Sequence, residues 1–195
     1  FVRCIPIMLI MAPSDENECR QMLYTGFKHQ GPAAVRYPRG TGPGCAVEQV
    51  MSAIPIGKAK PVKKGSSVAI LAFGSTLVPA SEVASRIGAS LVNMRFIKPL
   101  DTGVIIEAAR NHRLLVTVEE NAVSGGAGSA VNEVLAASGI PCGILNIGIP
   151  DRYIEHGSRQ DCLAMAGLDT NGIFEQINTR LTQDDTTQPA SGGAI

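Results

Sequence analysis

Net charge is the first thing this sequence lacks. Its 17 basic and 17 acidic side chains cancel over 195 residues, so no overall field favours nucleic acid or an anionic membrane surface as a partner. Charge runs are missing too. The nearest, Lys58, Lys60, Lys63 and Lys64 around Pro61, suits a solvated strand edge, where charge opposes edge-to-edge pairing. No apolar stretch approaches the roughly 20 residues that a bilayer span needs, and nothing resembles a signal peptide. The five cysteines, Cys4, Cys19, Cys45, Cys142 and Cys162, include no C-x-x-C pair and have no neighbouring histidine at metal-ligand spacing. They are expected to be reduced thiols in a cytoplasmic protein. The three histidines have no local carboxylate or cysteine partner, so neither a metal site nor a catalytic triad is visible. His112, beside Arg110 and Arg113, reads as a solvated helix cap, and His156 sits in a polar, aromatic loop suited to contacting another subunit. An initiator methionine is absent as well. Phe1 meets a buried-strand pattern within a few residues, as though the chain starts partway through a domain.

What is present is an alternation of strand and helix. Residues 7–11, Ile-Met-Leu-Ile-Met between Pro6 and Pro13, form a continuous apolar run that fits a strand buried on both faces. A helix follows, capped by Ser14 or Asp15, with Glu18 at capping-box spacing and Cys19, Met22, Leu23, Gly26 and Phe27 on one face. A second strand, 33–37, leads to Gly40. Residues 43–53 carry no clear periodicity and read as a linker. Beyond them, strand patterns at 68–73, 90–94, 114–119 and 143–147 alternate with helical patterns. A closing helix pair is expected at about 160–166 and 171–181. This predicts an α/β fold with a mainly parallel sheet and helices on its faces. Residues 182–195 offer little apolar surface and are expected to be a disordered tail.

The candidate chemistry gathers at one strand end. Ala33-Ala34-Val35-Arg36-Tyr37-Pro38-Arg39-Gly40 places two guanidinium groups three residues apart at a strand's carboxyl end, where open α/β sheets bind ligands. The arginine fork suits phosphate or carboxylate, and Pro38 limits how far Arg39 can wander. A surface salt bridge is the other reading of the same residues. Gly125-Gly126-Ala127-Gly128-Ser129 is not a dinucleotide turn. A third glycine would fall at Val131, and Glu119 and Glu120 arrive at the same loop. A tight turn that lets a helix pack closely on the sheet fits better. Alternation sends Glu119 and Glu120 in opposite directions, one towards a partner domain and one towards the helix N-terminus behind it. No complete catalytic constellation emerges.

Read in order, Pro13-Ser14-Asp15-Glu16-Asn17-Glu18, Val35-Arg36-Tyr37-Pro38-Arg39-Gly40, Met94-Arg95-Phe96-Ile97-Lys98-Pro99-Leu100-Asp101, Val118-Glu119-Glu120-Asn121 and Gly125-Gly126-Ala127-Gly128-Ser129 resemble the C-terminal portion of the bacterial 1-deoxy-D-xylulose-5-phosphate synthase family. The resemblance implies that residues 1–42 end a transketolase-like pyrimidine-binding domain, that 43–53 link it onward, and that 54–181 form a transketolase C-terminal-type α/β domain. It implies a homodimeric transferase using thiamine diphosphate and Mg²⁺, whose binding residues belong upstream of Phe1. The family condenses pyruvate with D-glyceraldehyde 3-phosphate, losing CO₂, to give 1-deoxy-D-xylulose 5-phosphate for isoprenoid, thiamine and pyridoxal precursors. Arg39 matches an arginine that holds the aldehyde's phosphate, while Arg36 stands open between ligand and brace. The resemblance places no catalytic residue, cofactor ligand or metal ligand in this chain, and the 195 residues alone are expected to be inactive. The alternatives are a non-catalytic dimerisation or partner-docking module, or a chain like the β subunits of 2-oxo acid dehydrogenases.

Overall fold

The computed structural model describes residues 1–187. Two sheets are built from eight strands: β1 (Leu9–Met11), β2 (Ala33–Val35), β3 (Lys60–Lys63), β4 (Val68–Phe73), β5 (Ser90–Asn93), β6 (Phe96–Lys98), β7 (Leu114–Ala122) and β8 (Gly143–Ile149). Among the described residues six α-helices accompany them: α1 (Glu16–Lys28), α2 (Leu77–Ile87), α3 (Thr102–Asn111) and α4 (Ala127–Ser138) lie between strands, and α5 (Arg159–Met165) and α6 (Thr170–Thr187) follow the last one. The larger sheet has the order β3-β5-β4-β7-β8, parallel except for β3 at its edge. All four residues of β3 are exposed, which agrees with a lysine-guarded edge.

The unbroken apolar run of β4 follows from burial on both faces. Val68, Ile70 and Ala72 pack with Val83 of α2 and Ile173 and Ile177 of α6. Ala69, Leu71 and Phe73 pack on the other side with Ile105 of α3 and Val131 and Leu135 of α4. Helices therefore cover both faces, as a parallel sheet requires. The connections run outward from β4 to β5 and then return to β7. The strand order thus reverses between β4 and β7, and a crevice opens there at the strands' carboxyl ends.

The smaller sheet, β2-β1-β6, joins two strands from the start of the sequence to one from its middle. β1 pairs parallel with β2, and antiparallel with β6 through Ile10↔Lys98 and Met11↔Phe96. β6 was not legible beforehand, because three residues are too few to show a period. The first strand is shorter than its apolar run suggests. Ile7 has φ 55° and is 78% exposed, so it stands outside β1. The expected helix face also turns out differently: α1 buries Glu18, Gln21, Met22 and Thr25, whereas Leu23 and Phe27 are exposed.

Residues 43–53 have no regular structure, yet the segment is strapped to α1. Gly44 N–H donates to Glu16 (2.7 Å), Glu48 N–H to Asn17 (2.9 Å), Ser52 N–H to Gln21 (2.6 Å), and Ile54 N–H to Thr25 Oγ1 (2.8 Å). The expected disorder from residue 182 needs correction, because α6 continues to Thr187. Arg180 pairs with Asp184 at 2.9 Å one turn on, and Arg113 reaches Asp185 at 2.8 Å. The rest of the proposed tail, 188–195, lies outside the described residues.

Candidate functional site

Alternation along β7 decides what its two carboxylates do. Thr117 and Glu119 share the face that meets α4, and Val118 and Glu120 share the other. Glu119, 4% exposed, accepts from the N–H groups of Ala127 and Gly128, both at 2.8 Å, and so caps α4. Burial raises its pKa, while those two amides pull it down. The Gly-rich turn is thus filled from within. A Cβ at Gly126 would fall against both Glu119 oxygens, and one at Gly128 would overlap Asn146 and lie 2.6 Å from Thr117 Oγ1. No room remains for a pyrophosphate, and the close helix–sheet packing expected of this turn is present.

Glu120 points into the crevice between β4 and β7. Its Oε2 accepts from Ser75 Oγ (2.6 Å) and from Arg159 (2.6 Å), and Arg159 also donates to Ser75 Oγ at 3.1 Å. Arg36 arrives from the end of β2, donates to the Glu120 main-chain oxygen, and has Nη1 3.9 Å from Oε2. One carboxylate faces two guanidinium groups, so the cluster keeps positive charge. Arg159 and Ser75 were missed in the sequence. The signal for Arg159 was there: Ser158 and Asp161 form a reciprocal capping box that starts α5 at Arg159.

Arg39 stands apart. It is exposed and makes no hydrogen bond or ion pair with any described residue. The two arginines of the octet therefore divide, Arg36 held and Arg39 free. Beside them a cleft of about 950 Å³ runs between α1, the segment around Tyr37 and Gly42, the start of α2, and α5. Leu23, Phe27, Tyr37 and Val78 form its exposed apolar wall, and Ser75, Glu120 and Arg159 its polar end.

The remaining candidates are structural. His112 ends α3 half-buried, with its ring nitrogens 2.8 Å from Ser90 Oγ and 2.9 Å from Ala108 O, so it is less solvated than expected. His156 is exposed. Asp15 caps α1, but only half of the expected capping box forms. Glu18 turns instead to Ser14 N–H (2.8 Å), Asn93 (3.0 Å) and Arg95 (2.7 Å). All five cysteines are free. Among the described residues no group of His, Cys, Asp or Glu side chains is placed to hold a metal ion. The described residues therefore form no ligand set for the Mg²⁺ of a thiamine diphosphate site. No described helix is long and apolar enough to cross a membrane.

The fold and crevice define a class: a doubly covered, mainly parallel α/β domain with a cleft beside the strand ends, its polar end formed by Ser75, Glu120 and Arg159. Residues 57–173 match the family described as "Transketolase, C-terminal domain", and the chain belongs to it. The chain is 56% identical over 179 residues to the 1-deoxy-D-xylulose-5-phosphate synthase of Nitrosococcus oceani, covering 92% of this chain and 28% of that protein. It is 59% identical to the enzyme of the same name from Methylococcus capsulatus (91% and 28% covered) and 52% identical to that of Stenotrophomonas maltophilia (100% and 31%). The chain thus spans less than a third of the length of these curated relatives. Among solved structures, one titled "Split gene transketolase, inactive beta4 tetramer" matches with TM-score 0.82 and 28% identity, covering 93% of this chain and 59% of that one. Transketolase from Campylobacter jejuni matches with TM-score 0.61 and 15% identity over 91% of this chain and 27% of that one, and shows the fold alone.

Proposed function

We propose that this chain is the C-terminal portion of a 1-deoxy-D-xylulose-5-phosphate synthase. Residues 1–42 close its pyrimidine-binding domain, 43–53 link, and 54–181 form the C-terminal domain. The whole enzyme condenses pyruvate with D-glyceraldehyde 3-phosphate, with loss of CO₂, as a cytoplasmic homodimer. Its thiamine diphosphate and Mg²⁺ are held by residues outside this chain, and the 195 residues by themselves do not turn over. The protein's own part in this reaction is substrate placement: Arg39 binds the aldehyde's phosphate.

The observation that carries the reading is the free, exposed guanidinium of Arg39, just beyond the carboxyl end of β2 at Val35 and beside an excess of positive charge. A charge-assisted bond to phosphate contributes about 1.5 to 3 kcal/mol. In the full-length enzyme, Arg39→Ala is expected to raise KM for D-glyceraldehyde 3-phosphate by about 10- to 100-fold and to leave KM for pyruvate near its original value. Equal rises for both substrates would refute the assignment. The tetrameric split transketolase supports a second reading, in which a separate chain completes the enzyme. Activity restored by adding a separate diphosphate-binding chain would favour it.

A further inference from the structure

Among the described residues, Tyr37 to Pro43 take part in no hydrogen bond or ion pair. The segment that carries Arg39 is tied only at its two ends. At the far end, Glu16 accepts from Gly44 N–H at 2.7 Å and from Cys45 N–H at 3.3 Å. At the near end, Arg36 N–H donates to Met11 O at 2.8 Å, the last bond holding β2 to β1. The Arg36 guanidinium then crosses to the other sheet, where Glu120 receives it by main-chain oxygen and carboxylate. Glu120 is itself fixed. Its side chain is 13% exposed, and Ser75 and Arg159 both hold Oε2 at 2.6 Å. Pro38, between the two arginines, stiffens the step from the anchored residue to the free one.

We propose that Glu120 and Arg36 are positioning residues that set Arg39 for the phosphate of the substrate. The inference rests on the reading that Arg39 binds that phosphate. Arg36 is then a strut rather than a phosphate ligand, because Nη2 donates to the Glu120 main-chain oxygen and Nη1 faces the Glu120 carboxylate at 3.9 Å. Ser75 and Arg159 hold the far end of the strut, so the larger sheet dictates the position of a side chain carried by the smaller one. Binding groups lose efficiency steeply when displaced by fractions of an ångström to an ångström. Slackening the strut is therefore felt by the phosphorylated substrate and not by pyruvate.

The test is steady-state kinetics of the full-length enzyme carrying Glu120→Gln, Arg39→Ala, or both. Glu120→Gln removes the carboxylate but leaves the main-chain oxygen and the side chain's shape. It is expected to raise KM for the phosphorylated aldehyde about three- to tenfold, with kcat and the pyruvate KM unchanged. In the Arg39→Ala background the same substitution is expected to add nothing. Arg36→Lys keeps the charge but loses the fork; it is expected to reproduce the Glu120→Gln profile and carries the test if that variant fails to fold. Two results overturn the inference while leaving the function of Arg39 intact: an unchanged aldehyde KM in Glu120→Gln and Arg36→Lys, or a rise of equal size with and without Arg39. An unchanged aldehyde KM in Arg39→Ala removes the functional reading, and the inference with it.

Discussion

At the scale of single residues, Glu119 shows how burial and hydrogen bonding compete over one proton. Two amides of α4 favour the carboxylate, and removal from water opposes it more strongly, so the pKa lies above the ordinary glutamate value. The folded protein then binds a proton that the unfolded chain has already released. The contribution of this group to stability is complete below the unfolded pKa and declines as pH rises through the folded one. Glu119→Gln has nearly the same shape and does not titrate. Thermal unfolding of the two proteins, followed from about pH 4 to about pH 8, is expected to give similar stabilities at the acid end. The parent then falls relative to the variant as pH rises. A parent that gains on the variant with rising pH would mean that the amides outweigh burial. The opposite directions of Glu119 and Glu120 were legible from period-two alternation alone. The partners of Glu120 were not, since Arg36 lies 84 residues before it and Arg159 lies 39 after it, and no local pattern encodes either distance.

At the scale of elements, the strands buried on both faces were the most legible, because β4 and the start of β7 are apolar at every position. Elements defined by their partners were the least so. β6 exists because β1 offers it an edge, and the end of α6 persists because Arg180 and Arg113 reach Asp184 and Asp185. The seating of α4 on the sheet depends on Gly128, where a Cβ would intrude on the hydrogen bond from Asn146 to Thr117 (2.8 Å). Gly128→Ala is therefore expected to destabilise the protein by about 1 to 3 kcal/mol. Gly103 in α3 is the control. Its added Cβ would come no nearer than 3.5 Å to Asp101, and Gly103→Ala is expected to be neutral or slightly stabilising by helix propensity. Denaturant midpoints at unchanged slope would measure both. Equal effects at the two positions would show that the α4 contact is not tight.

At the scale of the whole molecule, the question is what makes two sheets behave as one body. Strand pairing supplies part of the answer, since β6 follows β5 closely in the chain yet pairs with β1. The other part is Glu18, 7% exposed on α1 of the smaller sheet's layer, which gathers Asn93 at the end of β5 and Arg95 just beyond it. Arg95 adopts φ 58°, and its main-chain oxygen accepts from Ala12 N–H at 2.8 Å, so the same turn is held from two directions. Glu18→Ala strands the Ser14 N–H in the interior, leaves the Asn93 amide only Ser14 Oγ at 3.3 Å, and leaves Arg95 without its acceptor. Breaking a fully buried pair costs about 3 to 5 kcal/mol. The Arg95 side chain is 20% exposed and can recover some hydration, so a loss of about 2 to 3 kcal/mol is expected. The loss falls at the junction, so it also changes the shape of unfolding. The parent is expected to melt in one calorimetric transition, and the variant in a broader or split one, with the smaller sheet going first. A uniform shift with the transition still sharp would assign the coupling to the β1–β6 pairing instead and leave Glu18 as an ordinary stabilising contact.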